Sequence, residues 1–154
     1  MKNFNLLIEV FLVSMTPIVE CRASIPLGLA QGLPLWEVLL ISISGNTLMG
    51  ISLFYLLSIL ESNLLKREPF KSWHEKYLKR ALNRFTEHSF GLLLSLTIFI
   101  ATPLPGTGAF TGAFLAKFFK FSGIEAFLSI FLGVFGASII VSLLTNSVMA
   151  VIPN

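Results

Sequence analysis

The chain has 154 residues, of which 55% are hydrophobic and only 12% charged; its net charge is +3 and its mean hydropathy +0.83. Soluble domains carry about 25% charged residues, so this composition excludes an ordinary soluble protein and indicates an all-α integral membrane protein of one domain. A single cysteine, Cys21, excludes an internal disulfide and a cysteine-based metal cluster.

The first apolar run covers residues 4–19, contains Glu9 and meets Pro17. Proline lacks a backbone donor and blocks helix continuation, so about 12–14 helical residues remain, short for a crossing that needs about 20. The start has Lys2 alone as a basic n-region and no small-x-small cleavage site, against a signal peptide. Glu20, not a small residue, precedes Cys21, against lipidation. Next comes ECRASIPLG, with Glu20 and Arg22 on either side of the thiol. Charges at membrane depth are costly and usually functional. Residues 33–60 form a run long enough to span, with Glu37 near its start beside Trp36.

Residues 61–89 are polar and hold seven of the basic residues, from Lys66 to Arg84. From Pro69 the positions of Phe70, Trp73, Tyr77, Ala81 and Phe85 predict an amphipathic helix. It lies either on the membrane surface or against the bundle. The positive-inside rule puts it in the cytoplasm, and membrane topology rather than nucleic acid accounts for the basic charge. His74 and His88 lack metal-ligand spacing.

Residues 90–104 repeat the short run and meet Pro103. Then comes PLPGTGAFTGA, and residues 124–152 form a second spanning run with Glu125 near its start. The halves correspond: Thr16-Pro17 to Thr102-Pro103, Glu37 to Glu125, Gly45 to Gly133. The offset is 86 residues at the first pair and 88 at the others, so a two-residue insertion reconciles them. The chain therefore divides into repeat one (1–60), a linker (61–89) and repeat two (90–154). Two short helices that dip in and out before one spanning helix make each repeat a re-entrant hairpin plus a transmembrane helix. The second half then starts on the opposite side, giving an inverted-topology repeat of the kind found in secondary transporters. Lys117 and Lys120 fall on the cytoplasmic side in this arrangement and outside in the competing four-span one. In place of Glu20-Cys21-Arg22 the second half brings Gly106-Thr107-Gly108.

The segment with Glu20, Arg22, Ile25, Pro26 and Gly28, together with the segment from Pro103 to Ala113, resembles the small multi-drug export protein family. That family is similar to the DedA/VTT membrane proteins, whose paired re-entrant hairpins each precede a spanning helix. Ala23 and Ser24 stand where a Gly-Ala pair is expected, and Phe110 where tryptophan is usual. The resemblance implies export of small molecules or translocation of lipid. No G-x-x-x-x-G-K-[ST] follows GTG, so ATP-driven pumping has no support.

Candidate substrate- or ion-binding residues are Glu20, Arg22, Glu9, Asn46, Pro103, Pro105, Gly106, Thr107 and Gly108. Arg22 suits an anionic group and Glu20 a transferable proton. Alternatively the two charges pair with each other or with the facing tip and simply hold the hairpin. Glu9 is either a second proton site or a surface acid, and Asn46 either bonds across helices or lines the path. Glu37 and Glu125 suit helix N-termini. Ser129, Gly133 and Ala137 form a small-x-x-x-small packing face. No catalytic set, metal site or cofactor is expected. The expected partners are membrane lipid, a small-molecule or lipid substrate, and further copies in a homo-oligomer. The expected activity is proton-coupled secondary export from the cell membrane by a multi-pass protein. The alternatives are a lipid flippase or scramblase, and a scaffold that transports nothing.

Overall fold

A computed structural model describes residues 2–17, 19–64, 89–104 and 106–151. Among the described residues it is all-helical: α1 Lys2–Ser14, α2 Glu20–Ala30, α3 Leu35–Leu64, α4 Ser89–Ala101, α5 Ala109–Phe118 and α6 Gly123–Val151. The linker helix expected from Pro69 and the site residue Pro105 lie outside the described residues.

The lengths follow the sequence. Segments Leu35–Leu60 and Gly123–Val151 are long and apolar enough to cross a membrane, and about 20 residues suffice for that. The short helices stop where the Thr-Pro pairs stand. Pro17 follows α1 and Pro103 follows α4. In both places the threonine hydroxyl turns back onto a carbonyl: Thr16 Oγ1 to Val13 O at 2.5 Å and Thr102 Oγ1 to Ile98 O at 2.8 Å. Each of these carbonyls also accepts from the backbone amide of the same threonine, so the hydroxyl reinforces the last turn. Gly32, at φ 79°, turns the chain between α2 and α3. Before α6, Ser122 and Glu125 form a capping box: Ser122 N donates to Glu125 Oε2 at 2.8 Å and Glu125 N to Ser122 Oγ at 3.3 Å. This gives Glu125 the helix-start role expected of it.

Each half packs alike. Helix α1 lies against α2 and α3, and α4 against α5 and α6. The halves also interlock, α2 on α6 and α5 on α3, with α3 on α6 between them. Two cores result. One gathers Val10, Cys21, Ile25, Leu33 and Val38 with Ala137 and Val141 of α6. The other gathers Leu96, Ile100, Ala109, Ala113 and Ala116 with Met49 and Phe54 of α3.

Close approaches recur at matched positions. A Cβ on Gly45 would stand 2.1 Å from Ser14 Oγ and 3.0 Å from Phe11 O. A Cβ on Gly133 would stand 2.6 Å from Ile100 Cβ and 3.0 Å from Thr97 O. Ser14 and Phe11 precede Ile100 and Thr97 by the same 86 residues that separate the Thr-Pro pairs. The buried positions of α2, Cys21, Ser24, Ile25 and Gly28, match those of α5, Ala109, Gly112, Ala113 and Ala116, at an offset of 88. The two extra residues therefore fall in the tip between Thr102 and Gly108. This corrects the expected alignment: Glu20 corresponds to Gly108 and Cys21 to Ala109.

Candidate substrate-binding site

The two hairpin tips meet, and the first delivers its charges to the second. Glu20 opens α2 and is 3% exposed. Its carboxylate accepts from Ala109 N at 3.2 Å and from Phe110 N at 2.9 Å. These are the first two amides of α5, which has no side-chain cap of its own because Gly108 stands at the cap position. An acid from the other half of the molecule supplies that cap. It also sits at the positive end of the helix dipole, and such charge-assisted bonds are roughly twice as strong as neutral ones. Gly108 is there because Glu20 is: a Cβ at Gly108 would lie 1.9 Å from Glu20 Oε2. Glu20 holds φ at 52°, in the left-handed region that few residues other than glycine adopt. That conformation costs about 1–3 kcal/mol, which the two carboxylate bonds offset.

Arg22 reaches the other end of the same tip. Its Nη2 donates to Thr102 O at 3.2 Å, to Thr107 Oγ1 at 2.9 Å and to Thr107 O. Thr102 directly follows the last residue of α4, so the guanidinium sits by the negative end of that helix. The Thr107 hydroxyl also lies 2.5 Å from Thr102 O and 2.8 Å from Leu104 O, folding the tip on itself. Gly106, at φ 86°, makes the turn. The two charges partner the facing tip and not each other. Arg22 Nε is buried without a partner.

A cavity of about 560 Å³ opens beside Arg22. Pro26, Ala30 and Pro103 line one side, and Val141, Leu144, Thr145 and Val148 of α6 the other. Its volume lies in the range of small-molecule sites. Among the described residues, Arg22 is its one charged lining group.

The other expected site residues divide. Pro103 lines the cavity, while Gly106, Thr107 and Gly108 shape the tip. Glu9 stands apart; it is exposed and accepts from Gln31 Nε2 at 3.1 Å. Asn46 is fully buried in α3 and reaches across to the Cys21 thiol of α2. Sequence reasoning missed the wall that α6 gives the cavity. It also missed the buried serines Ser24, Ser42 and Ser138. The pairs Ser42/Asn46 and Ser138/Ser142, four apart on apolar helices, were the available signal.

No group of three metal-ligating side chains occurs among the described residues. A sequence profile of the small multi-drug export protein family matches residues 20–140. No curated protein and no solved structure matches the chain.

Proposed function

The chain belongs to the small multi-drug export protein family, and from that premise we propose that it is a proton-coupled secondary exporter of anionic amphiphiles. The observation that carries this reading is the apolar cavity with one cation at its edge. The walls suit an apolar body, and the unpartnered Nε of Arg22 is a spare donor for an anionic head. The matched close approaches of Gly45 and Gly133 support an inverted repeat of two re-entrant hairpins, each followed by a spanning helix. Residues 61–89 then lie in the cytoplasm of a multi-pass protein of the cell membrane. Substrate binding at Arg22 competes with its bonds to Thr102 and Thr107. Proton binding at Glu20 weakens the cap on α5. Either event loosens the contact between tips, which couples proton and substrate.

The test is uptake of a fluorophore-tagged alkyl phosphate by sealed proteoliposomes under an imposed pH gradient. Gradient-driven uptake above protein-free liposomes is expected. Val148→Trp, which fills the cavity from the α6 wall and leaves the tip residues themselves unsubstituted, should abolish it and leave thermal stability unchanged. Unaltered uptake in Val148→Trp would overturn the site. The cavity walls equally suit an acyl chain, which favours lipid translocation of the DedA type as the second reading. Equal movement with and without a gradient would select that reading. No movement of any probe, with Glu20 and Arg22 variants losing only stability, would leave the scaffold.

A further inference from the structure

The two halves use the same four buried positions on α2 and α5, but they fill them with different chemistry. In the second half the face is apolar and tight. A Cβ on Gly50 would lie 3.0 Å from both Ala109 Cβ and Ile130 Cγ2. At the corresponding places in the first half stand Cys21 for Ala109, Ser24 for Gly112, Ser42 for Ile130, Asn46 for Val134 and Ser138 for Gly50. Packing alone therefore does not require polar groups there; the other half builds the same junction without them.

These polar groups converge. Ser138 and Asn46 both adjoin the Cys21 thiol, and Ser24 Oγ donates to Ser42 Oγ at 2.8 Å. Asn46 and Ser138 are both 0% exposed. Apart from their approach to the thiol, Asn46 Oδ1, Asn46 Nδ2 and Ser138 Oγ have no protein partner. Buried polar groups are nearly always satisfied, by protein or by ordered water. The unmet groups include a donor, the Asn46 amide N–H, and acceptors. A cation would satisfy only the acceptors. Water satisfies both, and a buried water typically makes two to four such bonds.

We infer that the junction of α2, α3 and α6 at Cys21, Asn46 and Ser138 is a hydration site, and that its water carries protons to Glu20. The second clause rests on the proton-coupled reading above. Cys21 follows Glu20 directly, so the site adjoins the residue that carries the carboxylate. In each transfer, water gives a proton to a Glu20 carboxylate oxygen and takes one from the next water. The charged group on the same helix is Arg22. The facing tip presents backbone amides to Glu20. The described carboxylates of α3 and α6, Glu37 and Glu125, stand near the helix starts.

The single thiol makes the site readable. The full chain in lipid nanodiscs is moved into deuterated buffer, and the infrared S–H band of Cys21 is followed as it converts to S–D. Rapid exchange is expected in the folded protein. Asn46→Leu and Ser138→Ala remove unmet groups and should slow it at least tenfold, with Ser138→Ala guarding against a folding defect in the larger change. A wild-type band that persists until unfolding overturns the hydration site. So does rapid exchange unaffected by both variants. If the variants dry the site but alkyl phosphate uptake stays gradient-driven at the wild-type rate, the proton route is overturned while the exporter reading stands. Failure of uptake in the wild type bears on the exporter reading alone and leaves the exchange result to decide hydration.

Discussion

Helices α2 and α5 occupy matched places and hold on by different means. Helix α5 turns Ala109, Gly112, Ala113 and Ala116 toward its neighbours. Helix α2 turns Glu20, Cys21, Ser24, Ile25 and Gly28. In lipid no hydrophobic force drives helices together, so small residues that let backbones approach supply the attraction. Helix α5 has this kind of grip. Helix α2 has a mixed grip: Gly28 approaches Val10 and Val38 closely, but its first turns face serines, an asparagine and the second tip. The comparison assigns rigidity to one half and polar, exchangeable contacts to the other. The charges at the tips then tie the exchangeable half to the rigid one.

The strongest way to break this comparison is at the tie. Gly108→Ala puts a methyl group onto the Glu20 carboxylate, 1.9 Å from Oε2. The acid must leave the α5 amides, and a buried charge then lacks its partners. A loss of about 3–5 kcal/mol is expected, seen as a lower unfolding midpoint in detergent. Adding Gly108→Ala to Glu20→Ala should cost much less than the sum, because both remove one contact. Additive losses would show that Gly108 and Glu20 act independently.

Rigidity in the second half is tested at Gly133. Its added methyl meets Ile100 Cβ at 2.6 Å, an atom fixed to the backbone of α4. Overpacking of this kind costs about 1–3 kcal/mol. The matched Gly45→Ala meets a serine hydroxyl first, and that group can rotate aside. Gly133→Ala should therefore lower the unfolding midpoint more than Gly45→Ala. The reverse order would place the tighter half first in the chain.

Glu20→Gln is milder than Gly108→Ala. The amide oxygen still accepts from one α5 N–H, while its NH₂ group faces the other donor. One charge-assisted bond is lost, at about 1.5–3 kcal/mol. The substitution also removes the transferable proton, so gradient-driven uptake should fall further than stability does. Parallel losses of both would reduce Glu20 to a cap.

Much of this was legible in the residues. Proline at Pro17 and Pro103 fixed where the short helices stop, because a missing donor acts locally. The spanning runs were legible from length and composition. The charged tip was legible because Glu20 and Arg22 are conspicuous in an apolar chain. Their partners were not. Nothing local says that a carboxylate in α2 will cap a helix 89 residues away, since the uncapped GTG start reads only as a flexible turn. The two-residue insertion was placed too late for the same reason. Only the burial pattern of α5 shows that Ala109, not Thr107, matches Cys21. Ser42 of α3 and Ser138 of α6 escaped notice because serine is common in membrane helices and usually bonds its own turn, as Ser44 does to Leu40 O at 2.7 Å.

The smallest expected effect is the most informative about that face. Asn46→Leu replaces an amide with unmet groups by an apolar side chain of the same branched shape. If α2 needed Asn46 to stay packed, the change would cost as much as any core defect. Beyond the weakly accepting Cys21 thiol the structure gives Asn46 no protein partner to lose, and removing unpaired polar groups is close to neutral or stabilising. The unfolding midpoint should hold or rise, with a change within about 0.5 kcal/mol. At the matched position in α6, Val134→Asn introduces an amide into the tight apolar junction and should cost about 1–3 kcal/mol. Equal losses from the two exchanges would mean that both junctions are packed alike. Neutrality at Asn46 with a loss at Val134 means that the polar face of α2 is kept for something other than stability.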